Sequence, residues 1–427
     1  MTTTVERGLS PVRELLPNGA VALAQESPAT PAVTINATLH TGSFVEPPNL
    51  PGLAYFASRV IDRGTERSTA AEIAEALDDR GVTLNITTTR HAISVACTSL
   101  ADDFDAMLDL VADVICRPVF PDDQIELRRA ETVTQLRQDQ DNPAVRAVEA
   151  MFALLYGETH PYGRPPKGTI ASLERIDRRA LVEFHRTHFV PASLVVCIVG
   201  AVGAQQAIAH AGRAFGSWRP SGSAPVDAVR EDGPMAVRSG TRRVSVTSMM
   251  SKSQADIAYG FVTIRRTDPE YYAWWVMNTI LGQYGLGGRL GENIRERQGM
   301  AYYAYSAFDP HVIPGPLMVR AGVDGANVAR TITAIDQEIT AFAAEGPTDE
   351  ELEDTKRYLI GSLPRMLETN AGIAAFLQAS ERFGLGLDHD RRLPGLVSAV
   401  TLQATRAAAA QLSPDHAAVA IAGPYQP

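Results

Sequence analysis

The sequence lacks the features that are typical of proteins bound to nucleic acid or to membranes. Its 427 residues carry a formal charge of −10, and lysine occurs only at Lys167, Lys252 and Lys356. No basic run is therefore long enough to meet a phosphate backbone or an acidic bilayer. The longest apolar run, at 194–202, is far shorter than the roughly 20 residues of a membrane helix. We expect neither nucleic acid nor a membrane as a partner.

Cysteine pairs, a signal sequence and common catalytic motifs are also lacking. Cys97, Cys116 and Cys197 lie in apolar settings without a C-x-x-C pair, which predicts buried free thiols. The N-terminus has no basic start followed by an apolar core, so we expect the protein in the cytoplasm. There is no G-x-S-x-G elbow and no phosphate-binding loop. His185 and His188 share a helix face, but no carboxylate or thiol completes a metal site there.

What the chain does contain is an internal duplication. Residues 217–240 are rich in Pro, Gly, Ser and charge, which predicts a linker between an N-terminal domain at 1–216 and a C-terminal domain at 241–427. Glycines that end or open elements recur after about 220 residues in three pairs: Gly64 and Gly285, Gly81 and Gly299, and Gly200 and Gly423. This spacing predicts two structurally equivalent domains.

The order of patterns within each half predicts the fold class. Each half opens with two alternating strand-like segments, near 19–43 and again near 242–264, and continues with long amphipathic helices and further strands. Neighbouring strands of this kind pair as hairpins, and helices cover the sheet that they form. We therefore predict an α+β protein of two domains, each a mainly antiparallel sheet with helices packed on one face.

Several patches in the first half carry a resemblance to a known family. They read "LPNG" at 16–19, "TGSFVEPP" at 41–48, "QDNP" at 140–143, "HPYGRPPKGT" at 160–169 and "FVPASLVVCIVG" at 189–200. This half resembles the N-terminal domain of the pitrilysin-like (insulinase) zinc peptidases, the group that contains mitochondrial processing peptidase and its bacterial relatives. The resemblance extends over nearly the whole chain.

The resemblance implies a zinc site whose residues have been replaced. Active members carry H-x-x-E-H, in which two His and a downstream Glu bind zinc and the internal Glu activates water. The matching positions here are Tyr55, Ser58, Arg59 and Gln135. A guanidinium has no lone pair to donate, and a serine hydroxyl cannot act as a carboxylate base. We therefore expect no zinc and no other cofactor in this chain.

The second half keeps a different motif of the family, although the zinc motif of the first half is replaced. The segment "GLGGRLGENIRERQGMAYYAYSAF" at 285–308 resembles the C-terminal signature of a glycine-rich loop, an Arg-bearing helix and an aromatic strand. The resemblance implies that Arg295 and Tyr302 hold the substrate at a zinc site. A guanidinium offers a rigid fork to a carbonyl or carboxylate, and a phenol donates to a developing oxyanion. The alternative is a solvated helix charge and a core strand.

Two further segments are predicted to contact a peptide. Gly285, Gly287 and Gly288 lie in the glycine-rich loop, where the backbone can approach a bound peptide closely. A simple turn before the helix is an equal alternative. Asn85 lies in "LNITTTR", which could offer a strand edge for β-addition of an extended peptide.

These observations predict a noncatalytic subunit of a heterodimeric bacterial zinc endopeptidase. A zinc-motif-bearing homologue would be the partner and carry the zinc, while this chain would supply Arg295 and Tyr302 and help to bind an unfolded peptide or leader segment. By itself the chain should hydrolyse nothing. Two alternatives stay open: a structural or assembly protein of the same fold, and an autonomous peptide-binding homodimer with no enzymatic role.

Overall fold

The computed structural model describes residues 8–219, 240–283 and 287–426. Its β-strands are β1 (Val12–Leu15), β2 (Val21–Glu26), β3 (Ala32–Leu39), β4 (Asn85–Thr88), β5 (Ile93–Leu100), β6 (Leu194–Gly200), β7 (Arg243–Ser248), β8 (Ala255–Val262), β9 (Ala301–Phe308), β10 (Pro316–Val323) and β11 (Ala418–Gly423). Its helices in the first half are α1 (Leu53–Val60), α2 (Ala70–Asp78), α3 (Phe104–Cys116), α4 (Asp122–Gln140), α5 (Pro143–Tyr156), α6 (Ile170–Leu173), α7 (Arg178–His188) and α8 (Ala204–Phe215). Those in the second half are α9 (Tyr271–Asn278), α10 (Val328–Glu345), α11 (Asp349–Met366), α12 (Asn370–Arg382), α13 (His389–Ser398) and α14 (Leu402–Ala409), with π-helical segments at Thr279–Gln283 and Gly291–Arg297.

The two sheets repeat one topology. The first has the strand order β1-β2-β6-β3-β5-β4, and the second has the order β7-β11-β8-β10-β9. In each sheet the returning last strand runs parallel to one neighbour, β6 to β2 and β11 to β7, and the other pairs are antiparallel. If β1 is left out of the comparison, the strand order of the first sheet is the same as that of the second. The predicted α+β class and the two equivalent domains are confirmed.

The chain forms two compact units that are not continuous in sequence. One unit takes the described residues up to Leu136, those of Pro165–Ala228 and those of Leu363–Arg392. The other takes Arg137–Arg164, the described part of Val229–Ser362, and the remainder from Leu393. Most of the predicted linker at 217–240 lies outside the described residues, so that domain boundary stays a prediction.

Helix α12, from the second half of the chain, covers one face of the first sheet. Leu23, Val195 and Cys197 point to this face and pack with Ile373 and Leu377 of the helix. Helices of the first half, among them α1, α3 and α8, pack on the opposite face, where the larger core lies. The expectation of helices on one face only is thus incomplete, because alternate residues of β2 and β6 are apolar on both sides and both sides need cover.

A glycine at the end of each returning strand is required by close backbone approach. Gly200 has φ +151°, and a Cβ built on it would lie 2.2 Å from the Ala32 carbonyl oxygen. Gly423 has φ +137°, and its Cβ would lie 2.4 Å from Ala255 Cα. The duplication therefore repeats a steric constraint as well as a strand order.

We expect Gly200→Ala to lower the free energy of unfolding by about 2 to 3 kcal/mol, because the new methyl group meets fixed backbone in a strained conformation. Gly81→Ala is the matched control, since Gly81 has φ +61° and nothing within 4 Å of the added Cβ. It should cost only about 1 kcal/mol. Urea denaturation followed by tryptophan fluorescence measures both. Equal losses in the two variants would contradict the steric explanation.

Two further features of the described residues concern membranes and thiols. Within them, none of the helices combines the length and apolar composition that crossing a bilayer requires. Cys97 and Cys197 are buried and Cys116 is half-buried, and all three are free thiols. Burial raises the pKa of Cys97 to about 11 and that of Cys116 to about 12. These thiols are protonated at neutral pH, as the predicted buried type requires.

Candidate functional site

Helix α1, which carries three of the four positions predicted to match the zinc motif, has a fixed starting point. It follows Gly52, whose φ is +91° and whose added Cβ would lie 2.5 Å from the Lys167 carbonyl oxygen. The buried Glu46 carboxylate accepts hydrogen bonds from the backbone N–H of Gly52 at 3.0 Å and of Ala54 at 2.7 Å. A carboxylate here satisfies free N–H groups at the helix start and complements the helix dipole.

The replaced positions themselves are engaged in ordinary protein contacts. Ser58 is buried, and its hydroxyl donates to the Tyr55 carbonyl oxygen of the same helix at 2.7 Å. Arg59 is 44% exposed, and its Nη2 lies 3.7 Å from Glu131 Oε2 of α4. Gln135 is exposed on α4, one helical turn beyond Glu131. Helix α1, which carries Tyr55, Ser58 and Arg59, thus contacts α4, which carries Gln135.

These residue types do not fit a zinc ion. Zinc needs imidazole, thiolate or carboxylate donors, whereas the positions offer a phenol, a hydroxyl, a guanidinium and an amide. The guanidinium of Arg59 adds a fixed positive charge. Across the described part of the chain, no group of three or more His, Cys, Asp or Glu side chains is arranged to hold a metal ion. The assignment of these four positions to the zinc motif stays a prediction from the resemblance.

A cluster of opposite charges surrounds Arg59. Glu131 Oε2 also accepts from Arg128 Nη1 at 2.5 Å, and Arg63 Nε lies 3.1 Å from Asp62 Oδ1. Burial raises the pKa of the Asp62 carboxyl, although the three arginines oppose this shift. Burial also lowers the pKa of the Arg63 guanidinium, and the Arg128 and Arg59 charges act in the same direction. Next to the cluster, Arg63 lines an open pocket of about 490 Å³.

Arg295 and Tyr302 lie on either side of one tight turn. Arg295 belongs to the π-helical segment Gly291–Arg297, and its carbonyl oxygen accepts from Gly299 N–H at 3.1 Å. Gly299 has φ +61°, as expected for a glycine that ends a helix. The Arg295 side chain is 43% exposed, with its Nε 3.5 Å from Glu296 Oε1. π-helical turns are rare and frequently occur at functional sites.

Tyr302 is presented by a β-bulge on an edge strand. Along β9 and β10, Tyr303 pairs with Gly322 and Ala301 pairs with Val323, which leaves Tyr302 as the extra residue. Strand β9 is the last in its sheet, and Tyr302 is 80% exposed. Bulges at sheet edges re-aim a side chain. The bulge explains why a large aromatic residue of this strand points to solvent rather than into the core.

The neighbouring Tyr303 anchors the same strand across the sheet. Its hydroxyl donates to the buried Asp256 carboxylate of β8, two strands away. The ring crosses β10 over Gly322, where an added Cβ would lie 2.5 Å from Tyr303 Cε1. Arg320 Nη2 lies 3.4 Å from Asp256 Oδ1. Burial and the Asp256 carboxylate raise the pKa of Tyr303.

Sequence reasoning did not identify this anchor of Asp256, Gly322 and Arg320. The available signal was one charged residue within each of two otherwise apolar strands, "ADIAYGFV" and "PLMVRAGV". Charged side chains are almost never buried without a partner. Pairing the two across a sheet would nevertheless have required the strand register.

The predicted peptide-contacting residues lie in two separate places. Asn85 is exposed on β4, the edge strand of the first sheet, and pairs with Ala96 of β5. Gly285 lies outside the described residues, Gly287 is exposed, and Gly288 is buried. A Cβ added to Gly288 would lie 2.8 Å from Gly282 Cα.

The base of the glycine-rich loop is held by ionic contacts. Arg289 forms a two-pronged pair with Glu351 of α11, at 2.6 Å and 2.7 Å. Arg289 also lies over the Phe342 ring of α10. Gly288 meets the Gly282 backbone as described above, so the residues at both ends of the loop come close together. A guanidinium–carboxylate fork of this kind fixes geometry as well as charge.

The two α+β units with one strand order define a protein of duplicated architecture. Residues 21–163 match the family model described as "Insulinase (Peptidase family M16)", and residues 175–359 match the one described as "Peptidase M16 inactive domain". The chain belongs to the insulinase family, M16, as its patches predicted. The match to the inactive-domain model indicates a noncatalytic M16-like protein.

Relatives of known sequence or structure extend over nearly the full length. A protein of Mycobacterium leprae, named an uncharacterized zinc protease, is 29% identical over 97% of this chain and 92% of its own. The crystal structure of a peptidase M16 inactive domain from Pseudomonas fluorescens superposes with a TM-score of 0.89 and 25% identity, covering 97% of this chain and 98% of that one. A protease from Helicobacter pylori shares the fold, with a TM-score of 0.89, 15% identity, and coverage of 98% and 100%.

Proposed function

We propose that this chain is the noncatalytic, substrate-binding subunit of a two-subunit zinc endopeptidase in the bacterial cytoplasm. The observation that carries the proposal is the presentation of Tyr302. A tyrosine that is 80% exposed, on an edge-strand bulge and one turn away from an exposed Arg295, has no use in the core of its own unit. Its position fits contact with a second molecule.

The chemistry of the two side chains suits a peptide bond under attack. The phenol of Tyr302 donates one hydrogen bond to the carbonyl oxygen as that oxygen gains negative charge. The guanidinium of Arg295 offers a planar fork of donors to a neighbouring peptide carbonyl or to a carboxylate. Zinc held by the partner supplies the activated water. This chain's groups bind and orient the peptide.

Extended peptide would be held through backbone contacts on the first unit. Strand β4 has β5 on one side, and its other edge leaves backbone donors and acceptors for an added strand. Its sequence NITT is mostly polar, with Asn85 and Thr87 exposed. Backbone pairing of this type tolerates many side chains, which suits an unfolded peptide or leader segment. Gly287 and Gly288 would allow a similarly close approach at the glycine-rich loop.

The proposal is tested by reconstitution. The chain is purified alone and together with a homologue from the same genome that keeps H-x-x-E-H, and hydrolysis of a quenched peptide mixture is measured. We expect no hydrolysis by the chain alone, and hydrolysis by the mixture well above that of the homologue alone. No gain over the homologue, in a pair that co-purifies, would favour the structural or assembly role. Peptide binding by a stable homodimer that ignores the homologue would favour the autonomous binding protein.

A further inference from the structure

We propose that Arg59, Arg63 and Arg128 form a binding site for the carboxylate of a peptide ligand. The three guanidinium groups gather where α1 meets α4 and the loop that follows α1. Two of them converge on one oxygen atom, Glu131 Oε2, at 3.7 Å from Arg59 and 2.5 Å from Arg128. The third, Arg63, lies in the loop after α1 with its Nε 3.1 Å from Asp62 Oδ1, and the charges of the other two contribute to lowering its pKa.

The cluster has an excess of positive charge. Its acidic members are Glu131 and Asp62, so three guanidinium groups face two carboxyl groups. The Asp62 side chain is only 12% exposed, and its burial weakens the carboxylate form. Arg59 and Arg128 both contact the same oxygen atom of Glu131, Oε2. A third carboxylate would balance the charge, and a ligand can bring one.

Hydrogen-bond donors in the cluster are also left over. Among the described residues, the Arg59 guanidinium makes no hydrogen bond, since the 3.7 Å contact to Glu131 exceeds hydrogen-bonding distance. The buried Nε atoms of Arg63 and Arg128 lack hydrogen-bond partners as well. Arg63 Nε lies 3.1 Å from Asp62 Oδ1 without the geometry of a hydrogen bond. The donors of Arg59, which is 44% exposed, can be reached by a ligand, and a charged donor without a hydrogen-bond partner favours an anionic one.

A carboxylate suits these donors better than a neutral group. Two oxygen atoms in one plane match the fork of a guanidinium, and charge-assisted bonds of this type are about twice as strong as neutral ones. Arg59 remains 44% exposed, so its donors are accessible from solvent.

The site does not depend on Arg295, Tyr302 or a partner subunit, so it can be tested with this chain alone. The probes are N-acetylalanine and N-acetylalaninamide, which differ only in the terminal charge. The Nε–H signals of arginine are followed by NMR in protein labelled with ¹⁵N-arginine. We expect saturable shifts of the Arg59, Arg63 and Arg128 signals with the acid, and at least about tenfold weaker binding of the amide.

Variants identify the residues and the source of the carboxylate. Arg59→Gln should remove the preference for the acid, and Arg59→Lys should retain part of it. Arg186→Gln is the matched control, because Arg186 is 45% exposed and paired with Glu183 on α7. It should leave the preference unchanged. An amidated peptide with one internal Glu distinguishes a side-chain carboxylate from a chain terminus: the terminus is the ligand if only free-acid peptides bind.

Three outcomes would overturn the proposal. They are equal affinity for acid and amide, an acid preference that survives in Arg59→Gln, and shifts caused only by inorganic phosphate at the same concentration. The acid preference of this chain and the activity of the reconstituted pair are separate measurements, so either can fail while the other holds. The carboxylate site and the proposed subunit role are therefore judged separately.

Discussion

In the reconstituted pair, Tyr302→Phe is expected to lower kcat by about 10² to 10³-fold, the loss that follows removal of one donor to a developing oxyanion. The substitution deletes a single hydroxyl from a side chain that is 80% exposed. Folding and assembly should therefore be unchanged. KM should change little, because the hydrogen bond strengthens only as the carbonyl oxygen gains charge. Steady-state hydrolysis of one quenched peptide, at saturating subunit concentration, measures both constants.

Arg295→Ala should lower kcat/KM by a similar factor, with part of the loss in KM, since a guanidinium also holds the peptide before reaction. Two substitutions in the same unit serve as controls. Arg297→Ala removes an exposed arginine from the same helical segment that is paired with Glu292. Tyr358→Phe removes the hydroxyl of a partly exposed tyrosine on α11. Neither should change kcat/KM by more than about twofold.

Assembly must be measured beside activity to interpret these variants. If Tyr302→Phe and Arg295→Ala keep wild-type activity in a pair that co-elutes on gel filtration, the in-trans role is wrong and a structural role gains support. If the pair dissociates, the residues contribute to the interface instead of the chemistry. The expected pattern is loss of activity with the pair intact.

The duplicated fold could be predicted because its constraints are local and repeat in sequence. Gly200 and Gly423 end equivalent strands where backbone approaches too closely for a Cβ. Gly81 and Gly299 both adopt φ +61°. A steric requirement that only glycine satisfies leaves a landmark that can be recognised in the sequence. The alternating strands behave similarly, because burial of one face imposes a period of two.

Features that depend on strand register or on distant packing could not be predicted. Helix α12 covers the first sheet although it lies in the second half of the chain, and Gln378 donates to carbonyl oxygens of Asn36 and Val195. Nothing near α12 in sequence indicates that surface. The bulge at Tyr302 likewise needs the pairing of β9 with β10. The resemblance indicated which tyrosine to examine, and only the register explains its exposure.

Restoring the residues of the zinc motif is expected to restore zinc binding. We expect the wild-type chain to bind no stoichiometric zinc, and the combination Tyr55→His, Ser58→Glu, Arg59→His and Gln135→Glu to bind about one zinc ion per chain. Two imidazoles and a carboxylate replace a phenol, a guanidinium and an amide, which supplies lone pairs and removes a fixed cation. Metal content after dialysis, by mass spectrometry, measures the change.

Partial combinations decide which groups carry the effect. Leaving Arg59 unchanged should abolish zinc binding, because a guanidinium would remain against the metal. Leaving Gln135 unchanged tests the position of the downstream ligand, since Glu131 lies one turn earlier on α4 and already faces Arg59 at 3.7 Å. If the variant that keeps Gln135 binds zinc fully, then Glu131, and not residue 135, matches the downstream glutamate ligand of the motif. Stoichiometric zinc in the wild-type chain would show that Tyr55, Ser58 and Arg59 are matched to the wrong positions of the motif.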